Sequence, residues 1–95
     1  MDLMHTLTGL VKAFGPSGSE GEISQVIESL ARPYVDEIAR DAIGNLICRK
    51  KGGGPRVMFS AHMDSIWLVA THIDEKGFVH VGPLGGVGAA RALYT

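Results

Sequence analysis

The sequence predicts a mixed α/β protein, and three features of its hydrophobic pattern support that class. Two stretches with helical spacing of apolar residues come first, joined by a loop rich in Gly, Pro and Ser. A predicted hairpin and a compact apolar run follow, and a second predicted hairpin comes after them. This order is typical of the opening of a larger α/β domain, so we expect the 95-residue chain to be incomplete.

Each predicted helix has an apolar stripe and a recognisable end. In the first, apolar residues recur at spacings of three and four: Leu3, Leu7, Leu10, Val11 and Phe14. Gly15 and Pro16 are expected to end this helix, because proline lacks an N–H and restricts the residue before it. The second stripe covers residues 23–30, and Ser19 and Glu22 before it have the spacing of a capping box.

Two hairpins are predicted from strand-forming segments separated by turn residues. The first joins residues 37–41 to residues 45–49 through a turn that contains glycine. The second joins residues 67–73 to residues 78–81 through the turn Asp-Glu-Lys-Gly. Between the hairpins, residues 56–61 (RVMFSA) are apolar without alternation and too few for a helix, which predicts a strand buried on both faces.

Charge and cysteine content exclude several classes of protein. The 9 Lys and Arg nearly balance the 10 Asp and Glu, whereas a dedicated nucleic-acid binder would carry a basic excess. The single cysteine, Cys48, cannot form an internal disulfide, and its place in a predicted strand indicates a buried thiol. With no secretory signal and no long apolar run, we expect a soluble cytoplasmic protein without membrane contact and with one modest core.

One candidate for metal chemistry follows the predicted buried strand. His62 and Asp64 are two residues apart, so their side chains would share a face if the strand reaches them. The carboxylate could then accept a hydrogen bond from one ring nitrogen and leave the other free for a metal ion. Spacing alone leaves a metal ligand and an ordinary histidine both open.

Other motifs favour structural roles. His72 and Asp74 repeat the same spacing, but they lead directly into a predicted turn in which Asp74 would bond to the backbone. His5 and His80 have no acidic neighbour at a useful spacing and are expected at the surface. Residues 86–88 (GVG) resemble the first half of a dinucleotide fingerprint, but Arg91 stands where its third glycine would be, which argues against it.

Five motifs in order resemble the amino-terminal quarter to third of the glutamyl-aminopeptidase family of tetrahedral, self-compartmentalising metallopeptidases. The resemblance extends over nearly all 95 residues, and the motifs are GPSGSE at 15–20, DAIGNLI at 41–47, AHMD at 61–64, THIDEKGF at 71–78 and GPLGG at 82–86. It implies a zinc-exopeptidase-type mixed-sheet catalytic domain starting in residues 1–64. Residues 65–95 would then begin an inserted β-rich domain used in oligomer contacts.

The same resemblance implies an activity and roles for two residues. The family removes amino-terminal residues from peptides with two divalent metal ions, zinc or cobalt, and assembles as dimers built into dodecamers. His62 would be a metal ligand and Asp64 the catalytic-site carboxylate that orients it. The family's other ligands lie downstream of this stretch, so we expect the 95-residue chain to be inactive alone.

Trp67 departs from the family pattern, which usually has glycine at this place. An indole there could fill a pocket or alter the junction between the two domains. A rival hypothesis is a non-catalytic module whose exposed sheet edge favours self-association or capture of a partner strand. A glucanase activity, after the endoglucanase label that some family members carry, has no support from these residues.

Overall fold

The computed structural model describes residues 2–86 and confirms the α/β class. Its elements in chain order are α1 (Leu3–Lys12), α2 (Gly21–Ala31), a short 3-10 helix (Arg32–Tyr34), β1 (Glu37–Arg40), β2 (Leu46–Arg49), β3 (Trp67–Ile73) and β4 (Val79–Leu84). The strands form two antiparallel pairs, β1 with β2 and β3 with β4. The dinucleotide-like motif at 86–88 lies mostly outside the described residues.

Helix α1 begins at a side-chain cap and ends before its predicted limit. Asp2 is the N-cap, and its Oδ1 accepts hydrogen bonds from the backbone amides of Met4 at 3.1 Å and His5 at 3.3 Å. The helix ends at Lys12, so Phe14 belongs to the loop and not to the helical stripe. The turn to α2 therefore starts two residues earlier than the apolar spacing predicts.

The predicted capping box at the start of α2 is wrong. The helix begins at Gly21 with Glu20 as its N-cap, so Glu22 occupies the second helical position and Ser19 lies outside the helix. A capping box needs the cap and the third helical residue. The Glu20 side chain instead accepts a hydrogen bond from the amide of Gly18 at 2.7 Å, and the amide of Ile23 donates to the Phe14 carbonyl at 3.2 Å.

The buried residues of the described chain lie where the loop after α1 meets α2. They are Ala13, Gly15, Pro16, Ile23 and Ser24. A β-carbon placed on Gly15 would lie 2.5 Å from Cγ2 of Ile23, so the loop backbone packs directly on that side chain. This core is smaller than the one expected for the chain, because most other apolar side chains in residues 2–86 remain partly or largely exposed.

The first hairpin is joined to α2 by one arginine. Arg40 at the end of β1 donates from Nε to Ser24 Oγ at 3.2 Å and from Nη2 to Glu28 Oε2 at 2.6 Å. The pKa of the Glu28 carboxyl is lowered, mainly by the hydrogen bond from Arg40, with Arg32 in the following 3-10 helix contributing further. Because both arginines remain exposed to solvent, the contribution of these ion pairs to stability is small and is lost as the pH falls through that lowered pKa.

The turn of the first hairpin is built around Asp41. Its Oδ1 accepts from the amides of Ile43 at 3.1 Å and Asn45 at 2.8 Å, and Asn45 also donates from its side chain to Oδ2 at 2.7 Å. These bonds, led by the one from the Asn45 side chain, lower the pKa of Asp41. Gly44 adopts a φ of 92°, a region that glycine enters without strain.

Two predictions about buried strand residues are wrong. Cys48 pairs with Ile38 in the β1–β2 hairpin, but its side chain is exposed. Residues 56–61 form no strand, and Val57, Met58 and Phe59 are 76%, 87% and 94% exposed. A strand buried on both faces requires a hydrogen-bonded neighbour and covering layers, and the described strands pair only within their own hairpins.

In the second hairpin, the first predicted strand is confirmed and the second is longer than predicted. Strand β3 has the predicted bounds, whereas β4 begins one residue later and continues to Leu84 through Gly82 and Pro83. The register shifts between Ala70 and His72, so Thr71 forms a β-bulge. Across the described part of the chain, no helix has the length and apolar character needed to cross a membrane.

We predict that Gly15→Ala destabilises the fold because the new methyl group would collide with Ile23, which must then move from its buried position. The expected loss is about 1–3 kcal/mol, the usual cost of overpacking. Urea unfolding followed by helical circular dichroism measures it.

The matched control for this substitution is Gly9→Ala. Gly9 lies within α1 with nothing within 4 Å of an added β-carbon, so alanine should stabilise the helix by up to about 1 kcal/mol. Equal stability of the Gly15→Ala variant and the unmodified protein would contradict the close approach of Gly15 to Ile23.

Candidate metal centre

The segment that carries His62 is attached to the loop after α1. The amide of Ser65 donates to the Gly15 carbonyl at 2.8 Å, and Ser65 Oγ donates to the same oxygen at 3.3 Å. Pro16 and Ser65 form an isolated parallel bridge. The same loop therefore packs on Ile23 and fixes the chain three residues beyond His62.

The structure brings His62 and Asp64 together, although no strand does so. His62 Nδ1 lies 3.1 Å from Asp64 Oδ1 and 3.1 Å from the Asp64 backbone carbonyl oxygen. Residues 61–64 belong to no hydrogen-bonded strand, so the condition of the alternation argument, that the strand reaches His62 and Asp64, is not met. Both the carboxylate and the backbone carbonyl of Asp64 lie within hydrogen-bond distance of the same ring nitrogen.

These contacts determine which ring nitrogen carries the proton. A carbonyl oxygen and an ionised carboxylate only accept hydrogen bonds, so Nδ1 must be the N–H donor. The neutral ring then has its lone pair on Nε2. The imidazole is 87% exposed, and Nε2 is therefore open to a ligand from outside.

A shallow apolar pocket of about 290 Å³ adjoins this histidine. Leu10 and Ile23 from the two helices form part of its wall, and His62, Met63 and Ser65 form another part. His62 stands at the edge of the pocket and is not enclosed by aliphatic side chains, as its exposure shows. Within residues 2–86, no group of three or more His, Cys, Asp or Glu residues has the arrangement needed to hold a metal ion.

Trp67 joins the start of β3 to the end of the α1 loop. Its ring meets that of Phe14 edge-on, with centroids 4.9 Å apart and an interplanar angle of 66°. Its Nε1 donates to Ser65 Oγ at 2.6 Å, and Ser65 in turn bonds to Gly15. The indole therefore packs next to the segment that carries His62 and Asp64.

A second histidine contact on the β3–β4 hairpin was missed by the sequence analysis. His80, expected as an isolated surface residue, lies opposite His72, with ring centroids 5.5 Å apart, and its Nε2 is 3.5 Å from Asp74 Oδ2. The turn role predicted for Asp74 is confirmed, because its Oδ1 accepts from the amides of Lys76 and Phe78. If the two predicted arms are paired symmetrically about their turn, Thr71 lies opposite His80. The His72–His80 pair depends on the register shift next to Thr71, which the sequence pattern does not reveal.

The segment that carries His62 and Asp64 matches a known protein family. The model of the M42 glutamyl aminopeptidase family matches residues 44–93, a stretch that includes both His62 and Asp64. The chain belongs to this family. The resemblance deduced from the five motifs is thereby confirmed.

The M42 relatives include bacterial and archaeal proteins. The chain is 46% identical to a putative aminopeptidase of Acetivibrio thermocellus over 86 residues, which is 90% of this chain and 25% of that protein. It is 39% identical to a lysyl aminopeptidase of Pyrococcus furiosus over 79 residues, 82% of this chain and 23% of the relative. The chain thus spans about a quarter of the length of the curated relatives it matches.

A solved aminopeptidase structure shares the fold. The crystal structure of a TET aminopeptidase from a marine-sediment thaumarchaeon matches with a TM-score of 0.78 and 31% sequence identity. The match covers 87% of this chain and 24% of the archaeal chain. The helices and hairpins described above are therefore arranged as in part of that larger TET aminopeptidase.

We predict that Phe14→Ala exposes the indole of Trp67, which is the protein's single tryptophan. Loss of the edge-on ring contact should lower the free energy of unfolding by about 0.5–1.5 kcal/mol. The more exposed indole should also emit at longer wavelength and be quenched more strongly by acrylamide. Phe59→Ala is the matched control because Phe59 is 94% exposed, and it should leave the emission unchanged. Identical spectra for Phe14→Ala and the unmodified protein would contradict the Phe14–Trp67 contact.

Proposed function

We propose that this chain forms part of the active site of a metal-dependent aminopeptidase, with His62 as a metal ligand and Asp64 as the residue that positions it. The observation that supports this most directly is the pair of oxygen acceptors on His62 Nδ1. They leave Nε2 unprotonated and exposed, the state in which imidazole binds a metal ion. Membership of the M42 family gives the reaction class.

Asp64 acts on the histidine through two effects. Its carboxylate and carbonyl oxygens restrict rotation of the ring and select one tautomer. The negative charge next to Nδ1–H also increases electron density on the ring, which makes Nε2 a stronger ligand. Asp64 does not have to touch the substrate for either effect.

The residues described around His62 fit one ligand of the aminopeptidase metal centre. A pair of divalent ions, zinc or cobalt, would activate a water molecule for attack on the first peptide bond of a substrate. The described residues provide a single oriented imidazole near Asp64 and no cluster of three ligands. We therefore propose that further ligands come from outside the described residues and that the 95-residue chain has no peptidase activity by itself.

The proposal extends to domains and partners. We assign residues 1–64 to the opening of the catalytic domain and residues 65–95 to an inserted β-rich domain. The pairing of β3 only with β4 among the described strands supports this division. Peptides as substrates, assembly into homo-oligomers and a cytoplasmic location belong to the same proposal, and the likeness to a TET aminopeptidase supports its oligomeric part.

The ring tautomer gives a direct test of the His62–Asp64 pair. In nitrogen NMR spectra of the ¹⁵N-labelled protein above the titration range of histidine, we expect His62 to be protonated on Nδ1. Asp64→Ala removes the carboxylate acceptor and should shift the population toward the Nε2–H form. On addition of Zn²⁺, the Nε2 signal of His62 should move, and loss of the positioning carboxylate should weaken this response about tenfold.

Matched controls separate a specific ligand from any exposed imidazole. His5 on α1 is an exposed histidine whose ring has no carboxylate or carbonyl partner among the described residues. Its ring should therefore respond to Zn²⁺ more weakly than that of His62. No release of amino-terminal residues from an aminoacyl reporter substrate is expected with either metal. Equal zinc responses of His62 and His5 would refute the ligand assignment, and measurable turnover would refute the assignment of further ligands outside the described residues.

One observation favours a second candidate, a non-catalytic module that self-associates. Three consecutive large apolar side chains, Val57, Met58 and Phe59, are largely exposed, and such a segment lowers its free energy by pairing with another chain. On this candidate, light scattering should detect an oligomer that Phe59→Asp converts to a monomer. Phe78→Asp, at a residue 68% exposed on the second hairpin, is the control that should leave the oligomer intact. Self-association that survives Phe59→Asp would rule out this segment as the contact.

A further inference from the structure

The β3–β4 hairpin carries a pair of histidines separate from the His62 segment. His72 and His80 are direct partners in the antiparallel register, so their side chains project from the same face. The ring centroids are 5.5 Å apart and the rings are tilted by 43°. Both residues are exposed, which leaves the space above the pair open to solvent.

The hairpin backbone holds the two histidines in this register. Asp74 Oδ1 accepts from the amides of Lys76 at 2.9 Å and Phe78 at 3.0 Å, while Gly77 takes a φ of 85°, which fixes the turn. The bulge at Thr71 then absorbs the offset between the two halves of the ladder. Thr71 Oγ1 donates to the His80 carbonyl at 3.1 Å and secures the bulge beside the pair.

We propose that His72 and His80 together bind a divalent transition-metal ion such as Zn²⁺, with water completing the coordination. Two imidazole nitrogens about 2.0–2.1 Å from a tetrahedral zinc ion place their ring centres roughly 5 Å apart, close to the separation seen here. Small rotations of these exposed side chains would bring the ring centroids from 5.5 Å to that separation. Imidazole pairs favour zinc, nickel and copper over magnesium, which prefers oxygen ligands.

Asp74 provides the electrostatic part of this site. Its Oδ2, the oxygen not used in the turn, is 3.5 Å from His80 Nε2. A carboxylate this close to one of the two rings would offset part of the charge of a cation bound between them. The site uses none of the residues assigned to the aminopeptidase centre, so it does not depend on the proposed function.

The test follows the histidine rings by NMR while Zn²⁺ is added to the whole 95-residue protein. The signals of His72 and His80 should move together along one saturation curve, at least tenfold tighter than that of His5, which is a lone exposed histidine. His72→Asn and His80→Asn should each weaken binding at the hairpin at least tenfold. Mg²⁺ at the same concentrations should move neither ring.

Two controls keep the result interpretable. His62→Asn should leave the hairpin titration unchanged, and this separates the proposed site from the aminopeptidase ligand. The backbone amide signals of Val79 and Val81 report whether β4 stays paired in each variant, and His80→Gln serves as a second substitution if asparagine disturbs the hairpin. Separate curves for the two rings, or unchanged binding after loss of either histidine from a paired hairpin, would overturn the proposal.

Discussion

The close packing of the Gly15 loop against α2 is the constraint on which the rest of the described structure depends. Gly15 has no side chain to keep its backbone away from Ile23, and its carbonyl oxygen accepts both the amide and the hydroxyl hydrogen bonds of Ser65. One residue thereby connects the helical pair to the segment that leads into β3. His62 and Asp64 stand just before this connection, and Trp67 just after it.

Around that connection, the polar and aromatic contacts form one continuous chain. Ser65 accepts the indole N–H of Trp67 while donating to Gly15, and the indole packs on Phe14 at the end of the same loop. A glycine in place of Trp67 would remove both the ring contact and the hydrogen bond to Ser65. The tryptophan therefore adds two contacts to the segment that leads from the candidate metal ligand into β3.

Local patterns in the sequence were enough to predict the helices and both hairpins, because each is determined by residues near one another along the chain. The β3 arm was predicted with its observed bounds, and the Asp74 turn bonds were expected from residue type alone. The strand predicted at 56–61 failed because burial on two faces depends on neighbours that no local pattern reveals, and the described residues provide none.

The two His-x-Asp motifs show why spacing alone could not determine the candidate sites. In the first, which lies outside any hydrogen-bonded strand, both the carbonyl and the carboxylate of Asp64 reach the same nitrogen of His62. In the second, Asp74 is held by the turn, and its remaining oxygen faces His80 across the hairpin and not His72 two residues earlier. The partner of each carboxylate is set by the backbone between the two residues.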